Sequence, residues 1–200
     1  MTPKKPILLH CCCAPCTVYT YQRLCDEGYS PTCYFHNPNI HPYTEFMRRL
    51  DAMKVFAFDM GANLLIDENY GLDRFLEATF GKTERCTLCY EMRVFETARF
   101  CHEQGLNCFT TTLLYSKYQK HKGIIDACQL AADEHGVEFV YMDFREGWKD
   151  GISGSKQMGL YRQQYCGCIF SEQERYMSDA RKGIAPSEIS NPVEKGTTKR

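Results

Sequence analysis

Long hydrophobic runs are missing from this chain of 200 residues. The longest apolar stretches, such as residues 7–9, are far too short to cross a bilayer, so we expect no transmembrane helix and no membrane partner. The first residues also lack the apolar core of a secretory signal. Together these absences predict a cytoplasmic protein.

A large net charge of either sign is missing as well. The chain has 24 basic and 25 acidic side chains, which leaves a formal net charge of −1. This balance excludes a globally basic nucleic-acid binder but is compatible with a local basic patch. Residues 115–122 interleave lysines with tyrosines. Such a pattern suits contacts to a nucleic-acid backbone, although it more often marks a solvated loop.

Glycine-rich phosphate loops are a third absence. The chain contains neither the P-loop pattern nor a dinucleotide-binding G-x-G-x-x-G after a predicted strand. Binding of a nucleotide cofactor through either of these loops is therefore excluded.

Cysteine, by contrast, is abundant, with 13 residues. An odd count without an export signal argues against a disulfide framework and for reduced thiols used in metal binding or catalysis. The clustered cysteines form three groups: Cys11, Cys12, Cys13 and Cys16; Cys86 and Cys89; and Cys166 and Cys168. The isolated ones are interpreted as small buried hydrophobic residues: Cys25, Cys33, Cys101, Cys108 and Cys128.

Strand and helix patterns alternate along most of the chain. Predicted strands occupy residues 6–9, 32–36, 63–66, 106–114 and 137–142. A helix is predicted to begin at Pro15, and further helices to occupy residues 43–60, 72–80, 88–104, 123–135 and 155–165. This alternation predicts an α/β fold with helices on both faces of a parallel sheet. We expect one domain over residues 1–180 and a disordered polar tail over residues 181–200.

Several unusual segments follow predicted strands directly. The first cysteine group follows the first strand, residues 37–39 follow the second, and Thr110–Thr112 end the fourth. Because the carboxyl ends of parallel strands meet at one edge of a sheet, these segments are expected to gather there.

The two downstream cysteine pairs allow different chemistry. Cys86 and Cys89 have the spacing of ligands to zinc or to a [4Fe–4S] cluster. Cys166 and Cys168 flank Gly167, which permits a tight backbone. They could form a strained, easily reduced disulfide that stores two electrons, or they could bind the same metal. The residues alone do not decide between a disulfide and a metal site for this pair.

Six blocks of this sequence resemble the cobalamin-independent epoxyqueuosine reductases, the QueH family. The resemblance extends over residues 6–172, in order. The matching blocks are residues 10–16 (HCCCAPC), 34–42 (YFHNPNIHP), 85–89 (RCTLC), 110–116 (TTTLLYS), 143–145 (DFR) and 160–171 (LYRQQYCGCIFS).

The resemblance implies a function and a set of site residues. Members of this family reduce epoxyqueuosine to queuosine at the tRNA wobble position, the last step in making that base. It implies a nucleotide-hydrolase-like fold, of the HUP or Rossmannoid type, with a three-layer sandwich. It assigns Cys12, Cys13, Cys86 and Cys89 to a [4Fe–4S] cluster and Cys166 and Cys168 to a redox-active pair. Cys16 would bind an additional iron, and Cys11 is no ligand.

The implied partners are a tRNA that carries epoxyqueuosine and an electron donor that the sequence does not identify. The alternative to an enzyme is a zinc-stabilised RNA-binding module without catalysis. A tRNA thiolation enzyme of the ATP-pyrophosphatase type would need a Ser-Gly-Gly-x-Asp-Ser loop after the first strand. This chain has Cys-Cys-Ala-Pro-Cys there, which argues against ATP activation.

Overall fold

A computed structural model describes residues 3–181 of the chain. From residue 182 onward, the tail predicted at 181–200 lies outside the described residues. The strands are β1 (Lys5–His10), β2 (Tyr29–Phe35), β3 (Asn63–Ile66), β4 (Cys108–Thr111) and β5 (Glu138–Phe139). The helices are α1 (Ala14–Asp26), α2 (Tyr43–Met60), α3 (Leu72–Thr79), α4 (Arg85–Glu103), α5 (His121–His135), α6 (Trp148–Gln157) and α7 (Ile169–Arg181). Short 3-10 turns occupy Thr112–Tyr115 and Phe144–Gly147.

Within residues 3–181, five strands form one all-parallel sheet in the order β3-β2-β1-β4-β5. The chain moves outward from β1 to β3, then returns to the other side of β1 with β4 and β5. Right-handed crossovers therefore put α1 and α2 on one face and α4 and α5 on the other. Helix packing agrees, since α1 contacts α2 and α6 while α4 contacts α5 and α3. The predicted three-layer α/β fold is confirmed.

The core forms where the central strand meets both helical layers. Residues 7–9 of β1 are fully buried because helices cover both sides of the sheet. On α2, Phe46, Leu50, Met53 and Phe56 recur at helical spacing, and all four are buried. Helix α2 ends at Met60 and is capped by Gly61, whose positive φ of 60° suits a residue without a Cβ.

Three predicted elements differ from the structure. The strand predicted at 106–114 is shorter: the Thr111 hydroxyl accepts a hydrogen bond from the backbone N–H of Leu113, which turns the chain into the 3-10 helix. The strand predicted at 137–142 shrinks to Glu138–Phe139. The helix predicted at 155–165 is wrong. Helix α6 spans Trp148–Gln157, and Gly159, at φ 63°, follows its end and leads into an irregular segment.

Two helices include residues that the sequence did not predict to be helical. Helix α4, predicted from residue 88, begins at Arg85, so Cys86 and Cys89 lie in its first turns. Helix α7 was not predicted. No helix within residues 3–181 has the length and apolar character needed to span a membrane.

Candidate functional site

The sheet's strand order reverses beside β1, and the candidate site lies where β1 and β4 end. Ligands bind at such a switch point in open parallel sheets. Four segments meet here. They are the loop from β1 into α1, the 3-10 helix Thr112–Tyr115, the first turns of α4 and the irregular segment that joins α6 to α7.

The first cysteine group brings three thiols together. The Sγ atoms of Cys12, Cys13 and Cys16 all lie within 4.8 Å of one another, and those of Cys12 and Cys13 are 3.8 Å apart. Helix α1 begins immediately after Cys13 with Pro15 in its first turn, which turns Cys16 back toward the two preceding thiols. Thiolates around one tetrahedral metal with bonds of about 2.3 Å are about 3.8 Å apart. These three residues could therefore hold a metal ion.

Hydrogen bonds distribute charge unequally among these thiols. Hydrogen bonds from Cys13, then from Cys16, hold the pKa of Cys12 well below its usual range. The Thr112 hydroxyl also donates to Cys12 Sγ at 3.2 Å and accepts from the Cys12 backbone N–H at 2.9 Å. Burial raises the pKa of Cys13, and the thiols of Cys12 and Cys13 raise that of Cys16. Cys12 is thus the preferred thiolate of the group.

Cys11 points away from this group. It is fully buried, and its thiol donates to the carbonyl oxygen of Leu9 at 3.3 Å. The Asn37 side-chain amide donates to the Cys11 carbonyl at 2.9 Å, which ties the loops after β1 and β2 together.

The two downstream pairs lie close to each other. Cys89 is buried in α4 and Cys86 is exposed, while Cys166 and Cys168 are free thiols. Burial raises the pKa of Cys89 to about 12; Arg93 opposes this rise, and negative charge on Cys166, Cys168 and Cys86 adds to it. These interactions bring the second and third cysteine groups into electrostatic contact.

Glutamine amides contact thiols from both sides of the site. Gln163 Nε2 donates to Cys13 Sγ at 2.9 Å, and Gln119 Nε2 donates to Cys166 Sγ at 3.1 Å. Gln119 is oriented by the Tyr90 hydroxyl, which donates to its Oε1 at 2.7 Å. Sequence reasoning missed both glutamines, because their contacts link positions far apart in the chain.

Arg93 is a buried cation between the cysteine groups. Its Nε donates to the Cys89 carbonyl at 3.1 Å, but its Nη2 has no hydrogen-bond partner among the described residues. Burial lowers the pKa of Arg93, whereas negative charge on Cys89, Cys166 and Cys12 raises it, with a net increase. A buried guanidinium needs nearby negative charge, and the groups whose negative charge would raise the pKa of Arg93 are Cys89, Cys166, Cys12 and Tyr90.

Arg49 anchors the segment that carries Cys166. Its Nε donates to Glu45 Oε1 at 2.7 Å, and both residues are buried on α2. Its Nη1 and Nη2 donate to the carbonyl oxygens of Cys166 at 2.9 Å and Tyr165 at 3.1 Å. Opposite charges four residues apart on an apolar helix face are a sequence signal that could have found this pair.

A second anchor comes from the loop after β2. The backbone N–H of His41 donates to the Gly167 carbonyl at 2.8 Å, and the Tyr165 hydroxyl donates to the His41 carbonyl at 2.6 Å. Gly167 has a φ of 146°, and a Cβ there would lie 3.2 Å from Arg49 Nη1. Because residue 167 is glycine, the backbone between Cys166 and Cys168 can pack directly against Arg49.

A cavity of about 640 Å³ opens onto these thiols. Its wall includes Cys12, Cys16 and Cys166. Cys166 is accessible from the cavity, yet the protein packed around this concave wall desolvates its thiol and raises its pKa. The volume suits a small-molecule or nucleoside ligand. Such a ligand would contact thiols from the first and third cysteine groups at once.

His41 makes the stability of this region dependent on pH. The ring is only 1% exposed and packs against Tyr70 and Phe75. Burial lowers the pKa of His41 to about 4, against a weaker opposing effect of the Pro38 backbone. Because the unfolded chain binds the proton near pH 6.5, stability is fully present above that pH and is lost as pH falls toward 4.

We expect His41→Phe to reduce this acid sensitivity. The loss in wild type amounts to up to about 3 kcal/mol between the two pKa values. Thermal unfolding midpoints measured in parallel from neutral to acidic pH should show wild type losing stability faster than the variant. Parallel curves for the two proteins would contradict the assignment.

Comparisons with known proteins place the chain in a family. A family model described as epoxyqueuosine reductase QueH matches residues 7–174. An epoxyqueuosine reductase QueH of Dehalococcoides mccartyi is 37% identical over 177 residues, which cover 88% of this chain and 96% of that protein. Proteins of the same name from Histophilus somni and Thermotoga maritima are 34% and 31% identical, covering 82% and 84% of this chain and 71% and 91% of theirs.

Among solved structures, a deacetylase of the A40926 pseudoaglycone matches with a TM-score of 0.41 and 17% identity, over 66% of this chain and 61% of that one. The family assignment rests on the sequence matches, which extend through every cysteine group described above. On these matches, the chain belongs to the epoxyqueuosine reductase QueH family.

Proposed function

We propose that this protein reduces epoxyqueuosine to queuosine at the wobble position of tRNA. The observation that carries the proposal is the cavity, which opens onto Cys12, Cys16 and Cys166 in a chain whose relatives are named epoxyqueuosine reductases. Such a cavity can accept one nucleoside and present it to several thiols.

The proposed cofactor is a [4Fe–4S] cluster held by Cys12, Cys13, Cys86 and Cys89, with an additional iron at Cys16. Soft thiolate ligands favour iron–sulfur clusters and zinc over hard cations. The buried Arg93 supports a group with net negative charge, since a cluster with four thiolates would compensate its guanidinium. Cys16 Sγ lies within 4.8 Å of the Sγ atoms of Cys12 and Cys13, so an iron held by Cys16 would lie beside a cluster bound by those two residues.

When bound, a cluster at Cys12, Cys13, Cys86 and Cys89 would transfer electrons one at a time, and an iron held by Cys16 would provide a Lewis acid for the epoxide oxygen. Cys166 and Cys168 can supply two electrons together, which a cluster that transfers one electron at a time cannot do. Conversion of an epoxide to an alkene and water consumes two electrons and two protons. Oxidation of two thiols to one disulfide releases two electrons and two protons. The dithiol therefore balances the reaction, and an external electron donor must then reduce the disulfide.

Neighbouring residues prepare Cys166 for this role. Arg49 and His41 hold the backbone on either side of it, and Gln119 donates to its sulfur. The amide stabilises a developing thiolate, and Arg93 and Arg49 lower the pKa of Cys166 against the effect of burial.

The test is anaerobic reconstitution with iron and sulfide, followed by incubation with epoxyqueuosine-containing tRNA and a reductant. Nucleoside analysis of the tRNA should show loss of epoxyqueuosine and an equal gain of queuosine. The loaded protein should contain about four irons per chain or slightly more. Colourless protein with one zinc and no conversion would instead support the RNA-binding module.

Replacing Cys166 or Cys168 with serine tests the dithiol. Each variant should keep its iron but lose multiple turnover down to the protein-free background, because serine cannot form the disulfide. The assay uses a strong one-electron donor, and Cys25→Ser, a half-buried thiol on α1, serves as the control. Wild-type rates in either site variant would remove the dithiol from the mechanism.

A further inference from the structure

An aromatic cluster at the cavity, formed by Tyr115, Trp148 and Tyr118, has no part in the proposed chemistry. Tyr115 stacks on Trp148 with ring centroids 5.1 Å apart, and Trp148 meets Tyr118 edge to face at 5.6 Å. All three residues line the cavity that contains Cys12 and Cys166. Tyr115 is buried and Trp148 half-buried, but Tyr118 is 87% exposed. One aromatic face is therefore available to a ligand at the cavity.

The loop that carries Tyr118 is held in place. The Tyr118 backbone N–H donates to Ser116 Oγ at 3.2 Å. The next residue, Gln119, bridges the Tyr90 hydroxyl and Cys166 Sγ. The backbone N–H of Lys120 donates to the same Tyr90 hydroxyl at 3.2 Å. An exposed ring on an ordered loop costs little further ordering when a ligand stacks on it.

The charge around this ring suits RNA. Three arginines line the cavity, Arg93, Arg162 and Arg175, and none of its described lining residues is acidic. Exposed Lys117 and Lys120 flank Tyr118 on the loop. Aromatic faces combined with basic side chains are how proteins bind unpaired RNA bases, whereas base-paired RNA offers no free face for stacking.

We propose, building on the function above, that Tyr118 is the stacking platform for the wobble base of the tRNA anticodon loop. The heterocycle would lie on the Tyr118 ring, and its epoxide-bearing substituent would extend along the cavity to the thiols. Stacking selects an unpaired base without reading its edges. The cysteines carry out the proposed reaction, so Tyr118 is a binding residue.

The test measures the dissociation constant of iron-loaded protein for a labelled anticodon stem–loop that contains epoxyqueuosine. Tyr118→Ala should weaken binding about tenfold or more, the usual effect of losing one base–aromatic stack. Tyr118→Phe should bind close to wild type, since it keeps the ring. Phe58→Ala is the matched control, because Phe58 is also 87% exposed but lies near the end of α2. It should leave binding unchanged.

A second RNA that lacks only the wobble base completes a double-mutant cycle. On this RNA, Tyr118→Ala and wild type should bind equally. An unchanged dissociation constant for Tyr118→Ala on the intact RNA would overturn the proposal, and so would the same loss on both RNAs. Binding is measured without turnover. Wild type that binds through Tyr118 but converts no epoxyqueuosine would refute the proposed function and leave this inference standing.

Discussion

Replacing Cys12 with serine is expected to abolish assembly of the proposed cluster and, with it, reductase activity. Cys12 is the preferred thiolate of its group, fixed by Thr112 and in contact with the Cys13 thiol. A serine hydroxyl keeps the hydrogen bonds but remains protonated and is a poor ligand for iron. Iron content after anaerobic reconstitution should fall from about four per chain to near zero, with loss of the brown colour.

Cys11→Ser is a closely matched control because it makes the same change one residue earlier. The Cys11 side chain faces Leu9 rather than the other thiols, and a serine hydroxyl can donate to the same carbonyl. This variant should retain wild-type iron and activity. Equal iron loss in both variants would show that the loop tolerates no substitution, and full iron in Cys12→Ser would remove Cys12 from the ligand set.

The fold was predictable where local patterns and tertiary packing agree. The apolar spacing on α2, with Gly61 after it, gave the helix bounds found in the structure. The prediction failed at 155–165, which was predicted as a short helix. Those side chains instead serve separate long-range contacts, such as Tyr161 with Glu45 and Gln163 with Cys13. A single sequence carries no signal for contacts of that range.

The candidate site was predictable in its chemistry more than in its geometry. Cysteine is rare enough outside functional clusters that spacing alone singled out the three groups. The grouping of Cys16 with Cys12 and Cys13 depends on how α1 starts, which the position of Pro15 helped to suggest. The residues that contact the cysteines, such as Gln119 at Cys166 Sγ and Arg93 at the Cys89 carbonyl, are of types common on any surface. Their roles emerge only when α4 and the loop after β4 are brought together.

Two kinds of contact support the thiols, and they stabilise different things. Hydrogen bonds from Thr112 and Gln119 lower the pKa of Cys12 and Cys166, and Gln163 donates to Cys13 Sγ. Arg49 acts instead on backbone carbonyls and so sets where Cys166 lies. Because Arg49 is also half of a buried ion pair, its two roles can be separated experimentally.

Arg49→Met is expected to destabilise the protein by about 3–5 kcal/mol, since it leaves the buried carboxylate of Glu45 without its partner. It also removes both donors to the carbonyls of Tyr165 and Cys166. The double variant Glu45→Leu, Arg49→Met removes the stranded charge as well, so most of the lost stability should return.

Activity should not return with stability in the double variant, because an apolar side chain cannot hold the segment that carries Cys166. Denaturant unfolding of wild type, the single variant and the double variant at equal iron content gives the first comparison. Turnover of epoxyqueuosine-containing tRNA by the same samples gives the second. A stable double variant with wild-type turnover would mean that Arg49 serves only its ion pair. A stable but inactive one separates the positioning of Cys166 from the folding of α2.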